Sequence, residues 1–304
     1  LRCTIKTYHV YQVDSFTTEK FKGNPAGVVS NADGLSESQM QSLARELNNS
    51  ETAFILSPTA ADHQVWVRFF TPYTEVPSCG HATVAAHYIR AREMALPSCT
   101  VVQKIGAGIL PVQIIKEQDD YRIIMTQGKI EFSDPLPKDI CAQIMAALGL
   151  TPADMETRCP VQIVSTGHSK VMIGINGREK LNVLSPDMTR LTVLSKLVHC
   201  NGYYVFTLDS PFAGILACGR MFAPAIGINE DPVTGNANGP LGAYLVKHRI
   251  VPVTGNLFSF QGFQGEAIGR PGIVEVSVTL EQGEPFIVTV GGRAVQIFHT
   301  TIEI

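Results

Sequence analysis

Apolar and polar residues alternate over 8–13, the two-residue period of a half-buried strand, and a second strand is predicted over 26–30. Gly23-Asn24-Pro25-Ala26-Gly27 supplies the turn between them. Ser36 then caps a helix in which Met40, Leu43, Ala44 and Leu47 fall at helical spacing, and Asn48-Asn49-Ser50 ends it. Strands are predicted over 52–56 and 65–70, a helix over 80–93, and strands near 100–103, 109–116 and 121–126. The order then returns: a helix over 140–148, strands over 162–165 and 171–175, and a helix near 191–198. Strands over 203–208 and 215–222, a helix over 235–248 and closing strands to 304 complete it.

The second half echoes the first in detail. A shift of 152 residues aligns Asn49 with Asn201, Phe54 with Phe206, Leu56 with Leu208, Arg68 with Arg220, Phe70 with Phe222 and Pro72 with Pro224. These identities keep their order, as an internal repeat requires. Each repeat is followed by a helix that is apolar nearly all round, with Ala82, Val84, Ala85, Ala86, Tyr88 and Ile89 in one and Ala237, Leu241, Ala243, Leu245 and Val246 in the other. A helix without a polar face must be covered on most sides. The expected architecture is α+β: two pseudo-symmetric domains, each a curved, mostly antiparallel or mixed sheet wrapped around a central helix. The expected domains are 1–118, to which a last strand near 293–304 returns, and 119–292.

Composition narrows the function. An apolar content of 45% with 17% charged residues is that of an ordinary globular chain, enough for two cores. A net charge of -3 carries no basic footprint for nucleic acid or an acidic membrane, so the expected partner is a small molecule. Seven scattered cysteines, without Cys-x-x-Cys, argue against a disulfide framework or zinc knuckle and for a reducing compartment. No apolar run suggests a membrane span or a signal peptide, so a cytoplasmic location is expected; Leu1 in place of Met suggests a chain without its native start. His81 and His87 are six apart rather than the four that share a helix face, and no metal site is expected. Gly174 to Lys180 reads as a turn, because it lacks the ending of a phosphate loop.

Gly80 and Gly235 each open a central helix, and helix starts offer unpaired N–H groups and the positive end of a dipole. Two such starts, expected to face a ligand between the domains, suit a carboxylate or a developing oxyanion. His81 follows Gly80, Asp231 precedes Gly235 by four residues, and Glu51 stands at a strand start. A proton-transfer site needs one group that cycles between acid and base. Glu51 is the candidate, and in the repeat it falls on Tyr203, so the chemistry would be asymmetric. That suits an isomerase better than a two-base racemase. The echo of 24–27 in Thr166-Gly167-His168-Ser169-Lys170 makes that stretch a weaker candidate for lining the site.

Asn49-Ser50-Glu51-Thr52-Ala53-Phe54, Phe70-Thr71-Pro72, Cys79-Gly80-His81-Ala82-Thr83 and Glu230-Asp231-Pro232-Val233-Thr234-Gly235-Asn236-Ala237 resemble the PhzF-like isomerase family of phenazine biosynthesis. With Gly23-Asn24-Pro25-Ala26-Gly27 the likeness spans almost the whole chain. It implies the diaminopimelate epimerase-like fold and a cofactor-free proton shift on a small, cyclic or unsaturated carboxylate. It further implies Glu51 as the proton-shuttling group, supported by Asp231 and His81, with Gly80, Gly235, Asn236 and Cys79 toward substrate. A homodimer is one assembly compatible with the likeness, a monomer another. Two departures stand out: Asn236 replaces the family's serine, and Cys79 precedes Gly-His where the phenazine enzymes have no cysteine. Epimerases of this fold use two thiols, but the place matching Cys79 in the second half is Thr234. An amino-acid epimerase using Cys79 and a non-catalytic binding protein therefore stay open as alternatives.

Overall fold

The computed structural model describes residues 5–304, so Cys3 and the start of the expected first domain lie outside it. The chain divides into two units, one formed by residues up to 126 with 291–304, the other by 127–290. The first unit thus runs past the expected boundary at 118, because the strand Asp120–Thr126 pairs antiparallel with Gly108–Glu117.

In the first unit Thr7–Ser15 pairs antiparallel with Asn24–Val29, which pairs parallel with Thr52–Leu56. Val65–Phe70 follows antiparallel, Cys99–Ile105 parallel, and Gly108–Glu117 antiparallel. The last strand, Glu284–Glu303, pairs with both Thr7–Ser15 and Asp120–Thr126, so the sheet closes on itself. Helix α1 (Glu37–Leu47) lies outside it, opened by a capping box between Ser36 and Gln39 and ended by Asn48 in the left-handed conformation. Helix α2 (Gly80–Glu93) runs through the middle, touching strands of the sheet on many sides. Every residue from His81 to Ile89 is buried. Small side chains at Ala82, Ala85 and Ala86 let the strands come close enough to enclose it.

The second unit repeats this plan step for step. Gln162–Ser165, Ser169–Gly174, Tyr203–Thr207, Ile215–Ala223, Leu257–Gln264 and Gly272–Glu281 pair in the same sequence: antiparallel, parallel, antiparallel, parallel, antiparallel. Helices α3 (Lys138–Leu148), α4 (Arg178–Asn182) and α5 (Met188–Val198) accompany them, and α6 (Gly235–Lys247) is the central helix, buried throughout except at Asn236 and its last residue. The pattern missed several short elements, among them the following. Glu131–Pro135 adds a strand beside Gln162–Ser165. The stretch read as a turn over 174–180 starts α4 at Arg178, after Gly177 at φ +81°. Ile228–Asp231 is a strand against Ile215–Ala223, because the chain already reverses at Gly227.

The repeat is explained by a shared structural unit. Arg68 donates to both carboxylate oxygens of Glu75, at 2.7 Å each, and stacks over Phe70. Arg220 does the same with Glu230, at 2.9 and 2.7 Å, and stacks over Phe222. Two-point pairing fixes the guanidinium plane and with it the entry of each chain toward its central helix. Arg220 also donates to the carbonyls of Leu181 and Leu184, tying α4 to the sheet. Arg220 and Glu230 side chains are only 8% and 11% exposed, against 14% and 36% for Arg68 and Glu75. Removing one partner of a buried pair strands the other charge. Arg220→Leu is therefore expected to destabilise the fold by about 3–5 kcal/mol. The more open Arg68→Leu should cost roughly 1 kcal/mol, since solvent screens its pair. Urea midpoints of the two variants check the order.

His87, in the middle of α2, is fully enclosed, its Nε2 2.9 Å from Gln103 Oε1. Burial, reinforced by Arg90, pushes its pKa down to about 4 from the ordinary 6.5, with the Gln103 contact opposing. The unfolded chain therefore binds a proton between pH 6.5 and 4 that the folded chain refuses, so this site lowers stability as pH falls through that window. The loss at pH 5 should be about 2 kcal/mol. Urea titrations at pH 7 and 5 should show it in wild type and a smaller loss in His87→Gln.

Candidate active site

Glu51 is the residue before Thr52–Leu56, and its carbonyl accepts from Gly27 N at 3.2 Å, which anchors the strand start beside the glycine turn. Cys79 is the extended N-cap residue of α2, with no side-chain cap bond, and His81 lies in the helix's first turn. Ser15 Oγ donates to His81 O at 2.7 Å and Thr83 Oγ1 to Cys79 O at 2.7 Å, so the backbone at this helix start is held from both sides.

These constraints bring three predicted residues together. His81 Nε2 lies 3.4 Å from Glu51 Oε2 and 3.3 Å from Ser50 Oγ, while His81 Nδ1 lies 3.5 Å from Cys79 Sγ. The imidazole thus stands between a carboxylate and a thiol. His81 and Glu51 side chains are 8% and 15% exposed, and Cys79 is buried. A charged or proton-sharing pair is strengthened where water is scarce. Gly80 lies between the two α2 residues, and the first N–H groups of the helix have no intrahelical acceptor.

Asp231, Gly235 and Asn236 belong to the second unit and sit in a network of their own. The Thr234 hydroxyl donates to the Asp231 carboxylate in a short hydrogen bond. Gln264 donates to Asp231 O at 2.8 Å and to Thr234 Oγ1 at 3.0 Å, and its own oxygen accepts from Thr234 N and Asn238 Nδ2 at 3.1 Å. Tyr204 OH donates to Asn238 Oδ1 at 2.9 Å, completing a buried chain of polar groups. Thr234, matched to Cys79 in the repeat, is thus a hydroxyl engaged with a carboxylate, where Cys79 is a thiol beside an imidazole.

Sequence reasoning missed Gln127. Its Nε2 donates to Gly235 O at 3.2 Å and to Asn236 Oδ1 at 3.0 Å, and its Oε1 accepts from Thr166 Oγ1 at 2.7 Å. A backbone carbonyl can only accept, so the Gln127 amide is fixed with nitrogen toward Gly235. The Asn236 oxygen must then face Gln127, which leaves the Asn236 NH2 as the outward donor. No motif marks Gln127; only the echo that singled out 166–170 pointed here, through Thr166. From the same stretch Lys170 is buried, donating to Ser169 O at 3.1 Å. Burial pulls its pKa down, against the opposing pull of Cys200 and Asp231. Cys218 is a core thiol whose pKa burial raises, and it stands in the strand before Arg220. His87, paired with Gln103, shares no ligand position with His81. Among the described residues no helix is long and apolar enough to cross a membrane.

The comparisons agree on one family. The profile described as "Phenazine biosynthesis-like protein" matches residues 13–300. An uncharacterized isomerase of Clostridium acetobutylicum is 57% identical over 98% of this chain and 99% of its own. The trans-2,3-dihydro-3-hydroxyanthranilate isomerase of Pseudomonas aeruginosa is 31% identical over 85% of this chain and 86% of its own. The crystal structure of a PhzF-family phenazine biosynthesis protein from Bacillus anthracis superposes at a TM-score of 0.88, with 30% identity, covering 98% of this chain and 100% of that one. With the α+β architecture, its two repeated units and the motifs around both central helices, the chain belongs to the phenazine biosynthesis-like protein family.

Proposed function

We propose that the protein is a cofactor-independent isomerase that moves a proton on a small, cyclic or unsaturated carboxylate, with Glu51 as the acid/base. The observation that carries the reading is the Glu51–His81 contact of 3.4 Å at the start of α2. The carboxylate takes a proton from the carbon next to the activating group and returns it elsewhere on the conjugated system. His81 holds it in line and answers its change of charge, which one hydrogen-bonded imidazole can do without moving. Developing negative charge on the substrate meets the unpaired N–H groups of the helix start. Asp231, Gly235 and Asn236 are, by family likeness, further groups that handle substrate. The fixed polarity of Asn236 selects a hydrogen-bond acceptor, as a carboxylate or carbonyl oxygen is. That the Pseudomonas aeruginosa relative is an isomerase of a dihydro-hydroxyanthranilate favours a ring of this kind.

An epimerase working through Cys79 is the second reading, favoured by the thiol's 3.5 Å approach to His81. It lacks an opposing thiol, because the equivalent residue is Thr234, whose hydroxyl is already committed to Asp231. A binding protein without catalysis would leave the Glu51–His81 pair unused.

Proton NMR in D2O with a panel of small carboxylates separates these readings. The panel includes dihydro-hydroxyanthranilate, unsaturated ring carboxylates and amino acids. Wild type should place deuterium on a substrate carbon, and Glu51→Gln should slow this by about 10²–10⁴-fold, the usual worth of a general base. Exchange that survives Glu51→Gln and is lost in Cys79→Ala would overturn the reading in favour of the epimerase. On whichever substrate exchanges, Gln127→Leu should raise KM about tenfold with little change in kcat, because it frees the Asn236 amide to turn.

A further inference from the structure

We propose that Glu51, Cys79 and His81 form a binding site for a thiophilic divalent cation of the zinc class. One ligand atom from each residue lies within 4.8 Å of the other two, and no other trio of His, Cys, Asp and Glu among the described residues comes as close. The spacing fits the chemistry. Tetrahedral zinc, with bonds of about 2.0–2.3 Å to nitrogen, oxygen and sulfur, holds its ligands about 3.3–3.8 Å apart. Here His81 Nε2 is 3.4 Å from Glu51 Oε2 and 3.9 Å from Cys79 Sγ, while Sγ lies nearer Nδ1, at 3.5 Å; a turn of the imidazole that aims Nε2 between the thiolate and the carboxylate, with rotation of the Cys79 and Glu51 side chains, closes the set.

The donor types match as well. A thiolate, an imidazole and a carboxylate are the borderline-soft mixture that zinc takes in preference to magnesium or calcium. Binding releases the Cys79 proton, and the thiolate and carboxylate then neutralise the dication. That outweighs the partial positive charge of the α2 start, worth about half an elementary charge. Three protein ligands leave the fourth position to solvent, in the pattern of an open zinc site. The Ser50 hydroxyl, 3.3 Å from Nε2, would give up that contact to the metal. Thr83 and Ser15 hold the Cys79 and His81 backbone through their carbonyls, so for these two ligands only side-chain rotation remains to complete the set.

A cation held here occupies the Glu51 carboxylate and takes it out of proton transfer, so the bound form is inhibited. This consequence rests on the proposed role of Glu51; the site itself does not. Spectroscopy with Co2+ keeps the two apart, because it reads the ligands without any substrate. Titration of the reduced full chain with Co2+ should produce one equivalent of a tetrahedral cobalt spectrum with a thiolate-to-cobalt charge-transfer band, bleached by Zn2+. Cys79→Ser should abolish that band, and His81→Gln should weaken Co2+ binding at least tenfold, with circular dichroism reporting that each variant is folded. Absence of a thiolate band in wild type overturns the proposal. So does a band that persists in folded Cys79→Ser, because another cysteine would then be the ligand. Should Cys79→Ser fail to fold, unchanged Co2+ affinity in His81→Gln and Glu51→Gln would overturn it equally.

Discussion

An apolar helix that must be hidden from water on every side governs this structure. Neither α2 nor α6 carries a solvent face, so neither can rest on a flat sheet; each needs a sheet that curls round it. Strand twist curls the sheet, and in the first unit the final strand completes the curl by pairing with strands on both sides. Small residues along the helix set how tightly the strands close. The same enclosure dictates where chemistry can happen. A buried helix displays polar backbone only at its ends, and the N-cap positions, Cys79 and Thr234, both lack side-chain cap bonds.

Enclosure also explains the two Arg–Glu–Phe units. A chain that leaves a sheet and turns into a central helix has polar backbone and little room. A bidentate guanidinium stacked on phenylalanine fixes that passage in one geometry while burying little free charge. That the arrangement occurs at Arg68 and again at Arg220 accounts for the most conspicuous identities between the halves. It assigns Glu230 to the framework, although it stands next to Asp231 in the chain. Adjacent carboxylates thus have different work: Glu230 holds the fold, and Asp231 accepts from Thr234.

Much of the fold was legible because helices and strands this apolar leave strong periods, and because a repeat doubles the signal. The central helices and most of the flanking strands follow from pattern. What pattern missed was short or set by distant partners. Glu131–Pro135 is mostly exposed and carries no alternation, and α4 is five residues with a left-handed glycine before it. Of the candidate site, the residues in motifs were legible, but their contacts were not. Nothing in Cys79-Gly80-His81 tells that the imidazole spans from the thiol to a carboxylate at another strand's start. Gln127 was invisible for a simple reason: it acts through one amide on Gly235 and Asn236, far along the chain, and an isolated glutamine has no spacing to read.

The difference between the two helix starts decides what chemistry the duplication can support. Two opposed acid/base groups are the equipment of a racemase, and the two N-cap residues are not such a pair. The repeat instead pairs a thiol against His81 with a hydroxyl committed to Asp231. A threonine hydroxyl at neutral pH has no accessible ionised form to match a thiol of pKa about 8.5. Glu51 has no ionisable equivalent poised for the same task either, because Tyr203 is fully buried and bonded to the Leu191 carbonyl. On the proposed reading, with Glu51 as the one acid/base, the proton leaves and returns through the same carboxylate, and the product differs from the substrate by the proton's position. A duplicated, nearly symmetric scaffold thus carries two chemically different helix starts, a thiol beside an imidazole and a hydroxyl bonded to a carboxylate.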